Sequence, residues 1–253
     1  MGITRRRFVG CVAGAATMGL PRDLWRSGAI PRWVLLDLKE ACSLSESVSG
    51  YESALAAVGE PWIRSDAWSV SRCTGLIIPA ALAIPLPAVR AIATCLAGGA
   101  TVILESGAGF AGGPDFRAHR AVLRDCFRVR IEAPVQLWRA RSSWQGVPYV
   151  DYTWPFPAKL RDFSRVVPLE RQAGEIVAWV DDLPVALVRR SGRGTLVFLG
   201  SPVGPALWAG DGDARRWLCA VLGSGGQSPK FASRTSWMSG TRASSSSTPF
   251  TSG

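Results

Sequence analysis

Three short runs, Trp33-Val34-Leu35-Leu36-Asp37-Leu38, Gly75-Leu76-Ile77-Ile78-Pro79 and Thr101-Val102-Ile103-Leu104, are apolar almost without interruption. A strand with one wet face alternates apolar and polar residues. A strand buried on both faces does not, and continuous runs of this kind belong to parallel sheets with helices on each side. The segments between the runs have helical spacing. Residues 49–58 carry apolar positions on one face, and Gly59 is a natural stop. Residues 86–96 place Val89, Ile92, Ala93 and Leu96 on one face, with Pro85 and Pro87 at the start and Gly98-Gly99 at the end. Residues 62–67 can form a further strand, and Asp115 can cap a helix over 116–128. Strands alternating with helices imply a doubly wound, mostly parallel α/β sheet.

The pattern changes after residue 134. Residues 138–157 are rich in aromatics, Pro and Gly and read as part of an insertion spanning about 134–175. Residues 176–180, 184–189 and 195–199 are three β-runs, with Asp181-Asp182 and Ser191-Gly192-Arg193-Gly194 as turns. Together they predict a C-terminal β-hairpin extension. Residues 213–222 form a closing helix. The stretch 223–253 is Ser, Gly and Thr without periodicity and reads as a disordered tail. The folded domain is therefore expected over 30–222.

Residues 1–29 read as an address. Arg5-Arg6-Arg7 precedes an apolar run from Phe8 to Leu20, which Pro21 ends. That is the layout of an export signal, and the run is too short to span a bilayer as a helix, which takes about 20 residues. Thr4-Arg5-Arg6-Arg7-Phe8-Val9 resembles the twin-arginine signal, Ser/Thr-Arg-Arg-x-Phe-Leu, with Arg5, Arg6 and Phe8 as its key positions. The resemblance implies a bacterial protein exported folded, to the periplasm or cell envelope. Cleavage after Ala15 or Ala29 would fit equally.

The chain is 47% apolar and 19% charged, enough to bury a core. Its net charge of +10 is compatible with anionic partners and equally with an arginine-rich proteome. His119 is the single histidine, which excludes a multi-histidine zinc site and obliges any Ser-His or Cys-His pair to use it. Five cysteines follow the signal: Cys42, Cys73, Cys95, Cys126 and Cys219. None forms a Cys-x-x-Cys pair. Cys95, Cys126 and Cys219 read as buried small hydrophobes. An oxidising compartment would permit a disulfide, and the odd count leaves one thiol free or bonded to another chain.

Two blocks carry a family resemblance. Gly75-Leu76-Ile77-Ile78-Pro79, a helix, and Gly98-Gly99-Ala100-Thr101-Val102-Ile103-Leu104 resemble the class I glutamine amidotransferase-like superfamily. Residues 183–202, with Phe198-Leu199-Gly200-Ser201-Pro202 at their end, resemble the last hairpin of its trehalose-utilisation-type and β-galactosidase-middle-domain members. The resemblance covers about 33–130 and 176–222 and implies a flavodoxin-like sheet. The superfamily's enzymes carry Gly-x-Cys-x-Gly after the fourth strand. Here Glu105-Ser106-Gly107-Ala108-Gly109 stands there, with Gly107 in the cysteine's place, and a one-residue slip would put Ser106 there instead. No histidine follows His119, and the oxyanion-side Gly-Gly is Ala80-Ala81. Nucleophile, base and glycine loop all depart from the pattern.

Asp37, Glu105, Ser106 and Ser201 each follow an apolar strand run, at the sheet edge where α/β proteins bind ligands. Asp37 with Glu105 could serve as an acid/base pair or hold a cation; helix capping and turn bonding are the alternative. Ser106 could be a nucleophile only with His119 as base. His119 is expected exposed on the following helix, so the sequence favours a tight turn. Arg117, Arg120, Arg124 and Arg128 share a helix face, as a solvated surface or a site for phosphates or an anionic polymer. Trp144, Tyr149, Tyr152, Trp154 and Phe156 crowd around Asp151, either as sugar-stacking or partner-anchoring rings or as a structural lid.

These features point to an exported, flavodoxin-like domain that has lost its catalytic set and acts in binding or assembly, with an envelope protein or a carbohydrate as partner. The alternative is a periplasmic hydrolase or lyase using Asp37, Glu105 or Ser106. Neither a cofactor nor a resident metal is expected. Nucleic acid is not an expected partner, and the membrane is met only through the export signal.

Overall fold

A computed structural model of the chain describes residues 32–38, 42–67, 70, 73–137, 149–162 and 165–223. The export segment with Arg5, Arg6 and Phe8, the 224–253 part of the tail, and Trp144 lie outside the described residues. The first half alternates as expected: β1 (Trp33–Asp37), α1 (Ser45–Val58), β2 (Trp62–Asp66), β3 (Gly75–Ala81), α2 (Leu86–Gly98), β4 (Thr101–Ser106) and α3 (Gly113–Phe127). Gly59 and Gly99 end α1 and α2 at φ 75° and 99°, the left-handed conformation that glycine adopts without steric cost. The largest boundary differences from the sequence reading are at two helix starts. Helix α1 starts four residues earlier, and α3 is capped by Gly112, with Asp115 in its first turn, where it favours the helix dipole.

The second half adds β5 (Val135–Gln136), β6 (Tyr149–Tyr152), β7 (Ala158–Arg161), β8 (Arg165–Val166), β9 (Glu175–Val180), β10 (Leu183–Ser191) and β11 (Gly194–Leu199), then α4 (Gly204–Trp208) and α5 (Gly212–Gly223). Nine strands form one sheet in the order β2-β1-β3-β4-β11-β10-β9-β6-β7, while β5 and β8 pair separately. From β2 to β11 every pairing is parallel; from β11 to β7 every pairing is antiparallel. The sheet is thus parallel across its alternating half, as expected, and mixed as a whole because the hairpin side extends further than the sequence implies. Strands β6 and β7 come from the segment that reads as an insertion, yet they extend the main sheet. Their exposed/buried alternation, clearest at Tyr149, Val150, Asp151 and Tyr152, is that of strands with one wet face.

Side chains leave a strand alternately up and down, so each buried strand feeds two cores. Trp33, Leu35, Ile77, Ile103 and Val197 face α1, α4 and α5, packing with Tyr51, Leu55, Leu207, Trp217 and Leu218. Val34, Leu36, Leu76, Ile78, Val102 and Leu104 face α2 and α3, packing with Ile92, Leu96, Leu123 and Phe127. The doubly wound expectation holds here. Cys95 is buried as expected, but Cys126 and Cys219 are exposed on the outer sides of α3 and α5. Among the described residues no helix is long and apolar enough to cross a membrane.

Candidate functional site

The end of β4 holds the two residues the sequence singled out most sharply, and both are buried. Glu105 is fully buried and Ser106 is 1% exposed. The Glu105 carboxylate gathers five donors from three parts of the fold. One oxygen accepts the Ala80 N–H at 2.7 Å and the Ser47 hydroxyl. The other accepts the Gly204 N–H at 2.8 Å, the Tyr51 hydroxyl at 3.2 Å and the Val203 N–H. Burial raises the Glu105 carboxyl above its ordinary range, while the bonds from Ser47, Gly204, Ala80 and Val203 pull it down. The donors come from α1, from β3 and from the chain entering α4. Glu105 therefore ties the sheet to two helices, and no acceptor capacity faces solvent.

The chain closes over this strand end. Ser43 bridges Ala81, Leu44 N–H bonds Ala80 C=O at 3.3 Å, and Leu82 N–H bonds Cys42 C=O at 2.8 Å. The elbow after β4 is as tight. Gly107 donates to Ala81 C=O at 2.7 Å, and a Cβ there would run into the Ala80 carbonyl. The position where the resembled enzymes carry a cysteine cannot take a side chain without moving β3.

His119 corrects the expectation of a solvated imidazole. It is 1% exposed, and its Nε2 lies 3.1 Å from the Ser106 hydroxyl. That hydroxyl also accepts the Ala108 N–H at 3.3 Å. Burial drives the imidazole down to about 4, the Leu82 carbonyl opposing the shift, so the ring is neutral at physiological pH. Its Nδ1 makes no well-formed hydrogen bond among the described residues. Serine and histidine are thus within bonding reach, but among the described residues no acid is bonded to the ring, and the hydroxyl is buried. The histidine is inward because α3 turns Leu123 and Phe127 to the sheet, and position 119 lies one turn before Leu123.

Asp37 does not join Glu105. Its carboxylate pairs with Arg64 of β2 at 2.9 Å, and Arg64 also holds Glu52 of α1 at 2.8 Å. These residues line an open concavity of about 560 Å³ with Ser43, Ser45 and Glu46. It lies at the carboxyl end of β1 beside the start of α1. In the sheet order β1 is followed on one side by β2 and on the other by β3, so the chain's winding reverses here, the usual ligand position in open α/β sheets. Asp37 is paired with Arg64 and Glu105 is bonded internally, so the two do not form one site; among the described residues no group of three or more His, Cys, Asp or Glu could hold a metal ion.

The aromatic segment divides. Tyr152 and Trp154 are 3% and 5% exposed; the Tyr152 ring lies 4.9 Å from that of Trp217, whose indole N–H bonds Trp154 C=O at 2.9 Å. Burial removes both faces from any ligand, which corrects the stacking expectation for these two. Tyr149 remains exposed, and Asp151 pairs at 3.3 Å with Lys159 across the β6–β7 ladder. Ser201 is buried too, donating to Asp162 at 2.6 Å. The arginine face is partly neutralised. Arg120 pairs with Glu170 at 2.6 Å and Arg124 with Asp125 at 2.7 Å, and with Arg117 and Arg130 they border a second concavity of about 480 Å³. Arg128, the left-handed cap of α3 at φ 53°, is not part of its lining.

Sequence reasoning did not anticipate Ser47, Tyr51 and the Val203-Gly204 backbone as partners of Glu105. Only long-range topology brings them there, although an acid closing a continuous apolar strand was a local sign that something must neutralise it.

No family model matches the chain, and no curated protein matches it in sequence. Solved structures match in fold. A β-galactosidase from Bacillus circulans sp. alkalophilus superposes with a TM-score of 0.54 at 12% identity, over 74% of this chain and 31% of that one. An exo-β-1,4-mannosidase from Opitutaceae bacterium strain TAV5 gives 0.50 at 12% identity, over 77% and 35%. A cytoplasmic protein from Salmonella typhimurium LT2 gives 0.55 at 12% identity, over 76% of this chain and 98% of its own. The chain spans about a third of the length of the two glycosidases, and the likeness is one of fold.

Proposed function

We propose that the chain is an exported, non-catalytic α/β domain that binds a carbohydrate at the cell envelope, on a flavodoxin-like sheet of the amidotransferase-like, β-galactosidase-middle-domain type. The observation that carries the non-catalytic reading is the fate of Glu105. The one carboxylate at the strand end where relatives would react is spent on five internal hydrogen bonds. The order β2-β1-β3-β4-β11 follows the 2-1-3-4-5 winding of flavodoxin-like sheets, which supports that part of the reading. The glycosidase names among the fold neighbours support carbohydrate as the ligand class. So does the concavity at β1. Its Asp37, Glu46 and Glu52 carboxylates and its Ser43 and Ser45 hydroxyls match the hydrogen-bonding needs of a neutral polyol. Export rests on the Arg5-Arg6 pair, and Arg5→Lys with Arg6→Lys is expected to hold the chain in the cytoplasm when its position is followed by fractionation.

Calorimetric titration with galactose- and mannose-containing oligosaccharides tests the binding. Asp37→Asn is expected to weaken association about tenfold, the loss of one charge-assisted bond, while Arg117→Ala in the other concavity changes nothing. No heat of binding with any of these sugars overturns the carbohydrate assignment.

The second reading is a hydrolase, favoured by the 3.1 Å contact between Ser106 and His119. It requires the elbow to open, because neither side chain is more than 1% exposed. Turnover of an aryl ester or aryl glycoside that disappears in Ser106→Ala would establish it and remove the non-catalytic reading.

A further inference from the structure

Two sulfur atoms stand closer together than packing alone requires. Cys73 Sγ lies 3.3 Å from Cys95 Sγ. Cys73 lies two residues before the start of β3 and is half-buried; Cys95 is buried in the last turns of α2, on the face toward the sheet. Both pack in the core between that face of the sheet and α2. The remaining described cysteines behave differently: Cys126 and Cys219 are exposed on their helices, and Cys42 is half-buried.

We propose that Cys73 and Cys95 are a specific oxidation site, converted to an intramolecular disulfide that staples the start of β3 to the end of α2. A disulfide bond is about 2.05 Å long, so closing it takes a shift of about 1.3 Å, within the reach of a side-chain rotation. The hydrogen bond between the two sulfurs holds the Cys73 thiol above its ordinary range and Cys95 below it, with burial raising both. Cys73 is the more exposed of the two sulfurs, and Cys95 the more readily ionised.

The oxidant is a disulfide of a small thiol or of an oxidoreductase. Cys73 loses its proton to water as its sulfur attacks one oxidant sulfur. The oxidant's S–S bond breaks, its first thiolate leaves, and Cys73 is held in a mixed disulfide. Cys95 then gives its proton to the departing thiolate and attacks the Cys73 sulfur, expelling the second oxidant thiolate, which takes a proton from water. One S–S bond forms in the protein and one breaks in the oxidant. Two electrons pass from the protein to the oxidant, which leaves as two thiols. The closed loop spans β3 and most of α2, so its chain entropy is withdrawn from the unfolded state. This site is independent of what the β1 concavity binds and of whether the chain is exported.

The test uses the full chain with Cys11→Ser, Cys126→Ser and Cys219→Ser, which leaves Cys42, Cys73 and Cys95 as its thiols. The chain is treated with oxidised glutathione, alkylated, and digested with trypsin; Arg90 separates the two cysteines into different peptides. The expected result is a monomer lighter by two hydrogen atoms, a peptide joining Cys73 to Cys95, and a Tm about 6–12 °C above that of the reduced chain, reversed by dithiothreitol. In the Cys95→Ser variant Cys73 is expected to stop at the glutathione mixed disulfide with no gain in Tm. In Cys73→Ser the buried Cys95 is expected to remain a thiol. Equal alkylation of Cys73 and Cys95 before and after oxidation overturns the proposal, as does a joined peptide that pairs either of them with Cys42.

Discussion

A buried carboxylate and a buried imidazole sit on adjacent elements, and each makes a separable demand on stability. Glu105 satisfies three backbone N–H groups and two hydroxyls, none of which has water as a substitute. Glu105→Ala strands those donors, and unsatisfied buried groups cost about 1–3 kcal/mol each. A loss of about 4 kcal/mol or more, read as a lower urea midpoint, is expected even though no ligand touches the residue. His119 is simpler to isolate because it is the only histidine. Its folded value, about 4, lies below the ordinary 6.5 of an unfolded chain, so the unfolded state binds the extra proton between these limits. The stabilisation is complete above pH 6.5 and is lost as pH falls towards 4, by about 3 kcal/mol in total. Between pH 6.5 and 5 His119 gives a fall as pH drops, while the raised carboxyls of Glu105 and Glu175 contribute with the opposite sign, so the difference between wild type and variant isolates the histidine. Denaturation curves of His119→Gln should lose that slope while the wild type keeps it.

At the scale of elements, the fold depends on one close approach. A Cβ at Gly50 of α1 would strike the Gly204 carbonyl at the start of α4, and a Cβ at Gly204 would strike Ser47. The two helices meet backbone to backbone, which is what lets Ser47 and the Gly204 N–H reach the same carboxylate. Alanine ordinarily improves a helix by about 1 kcal/mol over glycine. Gly50→Ala is expected to do the reverse and destabilise by about 1–3 kcal/mol, the range for overpacking, in the same urea measurement. The legible and illegible elements separate on this point. β1, β3, β4, α2 and the β9–β11 run announce themselves through local periodicity and glycine stops. Helix α4 is five residues with no periodicity to read, and its place is fixed by what it contacts. Strands β6 and β7 alternate correctly, but the aromatic residues that fill their buried positions resemble a binding surface when the partner Trp217 is not in view. Trp154→Ala is therefore expected to lower stability by about 3–5 kcal/mol, the cost of emptying a buried tryptophan site. Any loss of ligand binding should follow the loss of folded protein, which separates the two readings when both are measured on one sample.

On the whole molecule, a single sheet holds two cores that close by different means. The α2–α3 side is drawn mainly from the alternating first half of the chain and from β10–β11, with Val167 and Leu169 added from the segment before β9. The other side joins α1 near the beginning to α4 and α5 at the end of the described residues, across the strands of the antiparallel half. It is the long-range core, and at its edge Glu105 joins α1, β3 and the start of α4. The same closure explains why the candidate site moved. The crevice at β4 is filled by residues 42–44 and 200–204, while the end of β1 stays open around Asp37 and Arg64. A chain ended after Asp211 tests the dependence on late closure. It retains every strand of the sheet and all of the α2–α3 core, but it uncovers the seats of Trp217, Leu218, Val221 and Leu222, each no more than 2% exposed. Burial of each such side chain is worth about 1.5–3 kcal/mol, so the four together match the entire net stability of a typical domain, about 5–15 kcal/mol. The truncated chain is expected to lose its cooperative unfolding transition by calorimetry and to bind a hydrophobic dye. A sharp transition near that of the full chain would mean that the α2–α3 side folds without its counterpart and that the two cores are energetically separate.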